Sequence, residues 1–127
     1  MSDKRTKALA IIAKMLPPAL SKGFGKKKKK ELGDHLGELA MVGVFDQMWT
    51  REGLDLRTRS LITCAMLIPM RANSELEIHF PAAIRNGATV ADIEELIYQS
   101  AGYAGFPAAT NAREVARKSL KAAGLVA

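Results

Sequence analysis

Little cysteine, few aromatic residues and no long apolar run characterise this 127-residue chain, and each shortage excludes a class of protein. The single cysteine, Cys64, rules out an intramolecular disulfide and suits a reducing cytoplasm. No uninterrupted apolar stretch approaches the ~20 residues that a membrane span needs. Residues 1–5 begin polar, and residues 8–16 carry Lys14 and no signal-peptide cleavage site, so no secretory leader is expected. No segment alternates apolar and polar residues as a half-buried strand does. There is no phosphate-binding loop and no dinucleotide fingerprint. The two histidines, His35 and His79, stand 44 positions apart, a weak start for a metal site of three or four ligands. Neither metal nor cofactor is expected.

What is present is an ordinary globular composition, 48% apolar and 25% charged, in a length that suits one domain. With aromatics at 6%, the core must come mainly from Leu, Ile, Ala and Met. The net charge of +6 invites a nucleic-acid reading, but it is unevenly placed. Residues 1–30 hold ten basic side chains and one acid, a net of +9. Residues 31–127 hold nine basic and twelve acidic, a net of −3. The run Lys26–Lys30 repels itself, and only Phe24 lies near it as an aromatic. It reads as a solvated linker, and nucleic acid is not expected as a partner. The organisation expected is a basic N-terminal helix and Lys-rich linker over 1–30, then a helical domain over 31–127.

Apolar spacing predicts about six helices in an all-α bundle of helical hairpins. The first covers 4–16 and ends at Pro17 and Pro18. The second covers 31–49, weakened by Gly33, Gly37 and Gly43. The third covers 56–70, opened by Asp55 as N-cap, and is apolar almost all round from Leu61 to Ile68. That pattern predicts burial on most sides, partly at contacts between subunits. Ser74 with Glu77 predicts a capping box for a fourth helix that stops at Gly87. Pro81 removes the bond to the Glu77 carbonyl and predicts a kink. Thr89 with Asp92 opens a fifth helix, reaching about residue 101. Pro107 stands in the first turn of a sixth, which ends before Gly124.

Few residues can do chemistry. Glu75 and His79 lie four apart, so both project from nearly the same side of the fourth helix. Such a carboxylate can orient an imidazole and raise its proton affinity. The plainer alternative is a weak surface contact. Leu76, Phe80, Ala83 and Ile84 form the neighbouring core face. Arg57 and Arg59 open the third helix, where the helix dipole disfavours cations. They read either as an anion-binding fork or as salt-bridge partners. Cys64, in the most apolar helix, reads as an inert small hydrophobe. Tyr103 sits in a glycine-rich connection and reads as a packed ring or a hydrogen-bond donor.

Several segments in order resemble the carboxymuconolactone decarboxylase family. They are Val44-Phe45-Asp46-Gln47-Met48-Trp49, Arg51, the stretch from Gly53 to Leu61, Glu75-Leu76 with His79, and Asn86-Gly87-Ala88-Thr89. Ile93-Glu94-Glu95, Tyr103-Ala104-Gly105-Phe106-Pro107-Ala108-Ala109 and Asn111-Ala112 complete the set. The resemblance implies an all-α fold and assembly as trimers or hexamers of small subunits. One branch of this superfamily, alkylhydroperoxidase-like, carries Cys-x-x-Cys-x-x-x-His. Laid on His79, its cysteine positions fall on Ala72 and Glu75, and the acid of its proton relay falls near Ser60. Without the thiol pair, a two-thiol peroxidase reaction is disfavoured. The other branch implies cofactor-free decarboxylation of an anionic lactone in aromatic-compound degradation. The resemblance then gives proton delivery to His79, its orientation to Glu75, carboxylate binding to Arg59 and Arg57, and a hydrogen bond to Tyr103. A lactone or enone isomerase, or a non-catalytic binding or assembly protein, is the alternative.

Overall fold

A computed structural model describes residues 3–21 and 30–127. The Lys26–Lys30 run, apart from Lys30, lies outside the described residues, as does Phe24. Among the described residues there is no strand. The helices are α1 (Asp3–Met15), α2 (Pro18–Ser21), α3 (Leu36–Ala40), α4 (Leu56–Met70), α5 (Asn73–Arg85), α6 (Val90–Tyr103) and α7 (Phe106–Ala122). α3 runs on directly as a π-helical segment, Met41–Trp49. Counting that pair as one and setting aside the four-residue α2, the described helices are the six expected.

The chain divides into two compact units, Met1–Leu54 and Asp55–Ala127. Residues of the second predicted helix pack with the first. In the first unit α1 lies against the π-helical segment. Ala8, Ile12 and Met15 of α1 are buried, as are Met41 and Trp49. Arg5 reaches Glu38 at 3.2 Å, and the rings of Phe45 and Trp49 stack with centroids 6.2 Å apart. The helix expected from residue 31 begins only at Leu36. Gly33 is left-handed (φ 77°), which no right-handed helix passes through, and Asp34 Oδ2 accepts from the Glu31 N–H to close a turn before it.

The second unit is a four-helix arrangement in which α4 packs on α5 and α6, while α7 packs on α5, α6 and α4. Its core joins Cys64 and Ile68 of α4, Leu76, Phe80 and Ala83 of α5, Ile93 and Ile97 of α6, and Ala112, Val115 and Leu120 of α7. Most ends were foreseen. Asp55 accepts from the Thr58 N–H at 2.7 Å and opens α4. Thr89 and Asp92 form a reciprocal capping box that opens α6. Gly87 (φ 106°) follows α5, and α6 extends two residues beyond expectation, to Tyr103.

One expectation about the helix ends is corrected. α5 starts at Asn73 without a side-chain cap, so the Ser74–Glu77 box does not form. The chain leaves α4 through Arg71 in the left-handed region (φ 51°), and the Asn73 side chain exchanges amide hydrogen bonds with Asn111 of α7 at 3.2 and 2.7 Å. Pro81 lies buried within α5, inside the helix as the sequence placed it. Within one chain α4 is covered on one side only. Ser60, Cys64 and Ile68 are buried, but Ile62, Met66 and Met70 are exposed.

Candidate active site

Helix α5 has two stripes because its residues advance about 100° each. Leu76, Phe80 and Ala83 point into the core, as expected. Glu75, His79, Ala82 and Asn86 follow the adjacent stripe. Glu75 is exposed in the first turn, while the His79 side chain keeps only 13% of its exposure. His79 Nε2 stands 4.0 Å from Glu75 Oε2, an ion-pair distance rather than a hydrogen bond. The sequence expectation that Glu75 raises the proton affinity of His79 is only half met. Burial pushes the imidazole below its usual range, and the Glu75 charge opposes this without reversing it. His79 is therefore held neutral near pH 7.

Asn86 closes α5 and is buried. Its Nδ2 donates to Ser60 Oγ at 2.9 Å, joining the end of α5 to the beginning of α4. Neither residue was among the expected site residues. Two signals were available: Asn86 lies seven residues past His79 on one stripe, and a short connection makes α4 and α5 an antiparallel hairpin. Arg59 is the neighbour of Ser60 and is half-buried. Thr63 Oγ1 donates to the Arg59 carbonyl at 2.8 Å.

Two other expected site residues are placed elsewhere. Arg57 gives its fork to Asp92: Nη2 lies 2.8 Å from Oδ1, and Nε donates to Oδ2 at 3.2 Å. The cap donors at Thr89 and this guanidinium hold the Asp92 carboxyl below the usual carboxylate range. Arg57 thus ties α4 to the capping box of α6, the salt-bridge alternative of the sequence reading. Tyr103, 89% exposed, lines an open groove of about 500 Å³ with Leu61, Ile62, Ala65, Pro69 and Leu96. Neither Glu75 nor His79 lines it.

Cys64 is fully buried, and burial pushes its thiol up to about 12. A thiol in that state is not a nucleophile at neutral pH. Among the described residues, no three His, Cys, Asp or Glu side chains gather to hold a metal ion. No described helix is long and apolar enough to cross a membrane.

The profile of the Carboxymuconolactone decarboxylase family matches residues 35–118, which include α4 to α6 and most of α7. A 4-carboxymuconolactone decarboxylase of Acinetobacter baylyi is 38% identical over 81 residues, 64% of this chain and 60% of that protein. Nitrosuccinic acid decarboxylase npaB of Metarhizium robertsii is 36% identical over 83 residues, 65% of this chain and 58% of that protein. An uncharacterized protein of Paracoccus denitrificans is 35% identical over 75 residues, 58% of this chain and 56% of that protein. The matches thus span less than two thirds of the length of these relatives.

Proposed function

The chain belongs to the carboxymuconolactone decarboxylase family, and on that premise we propose that it is a carboxy-lyase that needs no cofactor. Its substrate is an anionic lactone of the carboxymuconolactone type, released as an enol-lactone and CO2 in the breakdown of aromatic compounds. The observation that carries this reading is the half-buried His79 beside Glu75, inside the region shared with two decarboxylases.

The substrates named for those relatives share a chemical logic. Each bears a carboxylate and a group that can receive an electron pair: a lactone carbonyl in one, a nitro group in the other. When the C–C bond to the carboxylate breaks, CO2 leaves and the pair moves into that group. A proton then ends on carbon. The enzyme must hold an anion, favour the charge that builds on the acceptor, and supply the proton.

His79 supplies the proton in this scheme. Alone it is held neutral by burial, but an anionic substrate at its side favours the imidazolium. Proton uptake is thus coupled to substrate binding. Glu75 steadies the ring from one turn away. Arg59, at the start of α4, takes the substrate carboxylate. Arg57 serves the joint between α4 and α6, and Tyr103 belongs to an apolar face. That face, with Ile62 exposed in the groove, Met66 and Met70 exposed on α4 and Phe106 exposed on α7, is covered by further copies of the chain in a trimer or hexamer. The setting is the cytoplasm.

The test is CO2 release from 4-carboxymuconolactone by the parent chain and by His79→Ala. Release by the parent and its collapse in the variant are expected. Equal rates in the two would remove His79 from the chemistry.

A further inference from the structure

The contact between Ser60 and Asn86 has no part in the scheme above. Both side chains are closed to solvent, with Ser60 0% and Asn86 6% exposed. Between them they own three hydrogens to donate, two on the amide and one on the hydroxyl. In the arrangement seen, an amide N–H of Asn86 is engaged by Ser60 Oγ. Asn86 Oδ1 is buried without a partner, and the Ser60 hydroxyl hydrogen has no acceptor among the described residues. Turning the amide by half a rotation exchanges its O and N. Ser60 then donates to Oδ1, and both amide hydrogens are left over. In either setting the pair keeps at least one donor for something else. Two polar groups whose only task was to satisfy each other would not leave such a remainder buried, because an unmatched buried polar group is costly.

The position of the pair indicates what that donor meets. Asn86 lies seven residues beyond His79 on α5, within about 20° of the same side and about 10 Å along the axis. The residue between them on that stripe is Ala82, which is fully buried. Ser60 adds its hydroxyl from α4 at the Asn86 end of this stripe. A proton donor therefore stands at one end and a hydrogen-bond donor at the other. This is the layout that decarboxylation requires when the electron pair moves away from the carbon to be protonated.

We propose that Ser60 donates a hydrogen bond to the substrate oxygen that gains charge as CO2 leaves, and that Asn86 is the positioning residue that orients and polarises the Ser60 hydroxyl. The inference rests on the decarboxylase reading. The C–C bond to the carboxylate breaks, its pair moves through the conjugated ring to the lactone carbonyl oxygen, and CO2 departs. The His79 proton then bonds to carbon as the pair returns. Ser60 keeps its own proton throughout. In a water-excluded setting a fixed donor of this kind acts mainly on the transition state.

The test is kinetic, on the full chain with 4-carboxymuconolactone. Ser60→Ala is expected to lower kcat by about 10²–10³-fold with KM little changed, as for loss of one oxyanion donor. Asn86→Ala is expected to lower kcat by less. The Ser60→Ala/Asn86→Ala double variant is expected to match Ser60→Ala alone, because Asn86 acts through Ser60. A purely structural pair has no reason to give that pattern in kcat. Ser60→Thr, which retains the hydroxyl, keeps the test valid if Ser60→Ala does not fold. It is expected to hold most of the parental kcat. Parental kcat in folded Ser60→Ala, multiplicative losses in the double variant, or a folded but inactive Ser60→Thr overturns this inference. If His79→Ala is inactive in the same assay, the decarboxylase reading survives that result. No CO2 release by the parent chain overturns both.

Discussion

Toward α5, helix α4 offers the Ser60 hydroxyl to the Asn86 amide; toward α6, it offers Leu61, Ile62, Ala65 and Pro69 to a groove lined also by Tyr103. The first side is closed to solvent and polar. The second is open and apolar. A monomer has no reason to maintain the second at this size, since an exposed apolar face favours association. It has equally little reason to bury polar groups on the first unless they hold something. On the function proposed above, one helix serves chemistry on one side and assembly on the other, and the apolar pattern of Leu61 to Ile68 conceals the division.

Each side can be attacked separately. The largest expected effect is on the polar side: His79→Ala should lower decarboxylation by about 10²–10⁴-fold, the range for loss of a general acid. The same variant should still assemble, as read by sedimentation. On the apolar side, Met66→Lys with Tyr103→Lys should shift the chain from oligomer to monomer at micromolar concentration. Unchanged sedimentation would show that this face is not the contact. The third effect is on stability. The folded chain holds the His79 imidazole below its usual range, so the unfolded chain takes up that proton first. Stability should be full above the usual imidazole range and fall as pH drops through it toward the folded value. The slope in the denaturant midpoint should diminish in His79→Ala. The smallest effect is that of Glu75→Gln. Losing the carboxylate charge should move the His79 titration, followed by NMR, further down, with little change in stability. An upward shift would contradict the assigned cause.

Local features of this fold were legible where the governing contacts are local. Asp55 and the Thr89–Asp92 box act within one turn of their own helices, so residue type and spacing sufficed. The Ser74–Glu77 box had the same residue pattern and failed, because the left-handed Arg71 turn starts α5 two residues early, with Ala72 at the N-cap position, and Asn73 is held by Asn111, 38 positions away. The pairing of Glu75 with His79 followed from helical spacing. The sign of the His79 shift did not, since burial depends on how helices pack. The Arg57 partner lies 35 positions along the chain, and the Ser60 partner 26. Spacing along one helix cannot reach such partners. The late start of α3 was readable in principle from Gly33, whose positive φ is a choice only glycine makes without strain.

The buried Cys64 has a practical consequence for work on this chain. With its thiol pushed up to about 12 and its sulfur closed to solvent, the native cysteine is silent to maleimide chemistry at neutral pH. A cysteine introduced at an exposed position, such as Met66 on α4 or Glu75 on α5, becomes the sole reactive handle. Spectroscopic probes can then be placed on either helix without first replacing Cys64 in the core.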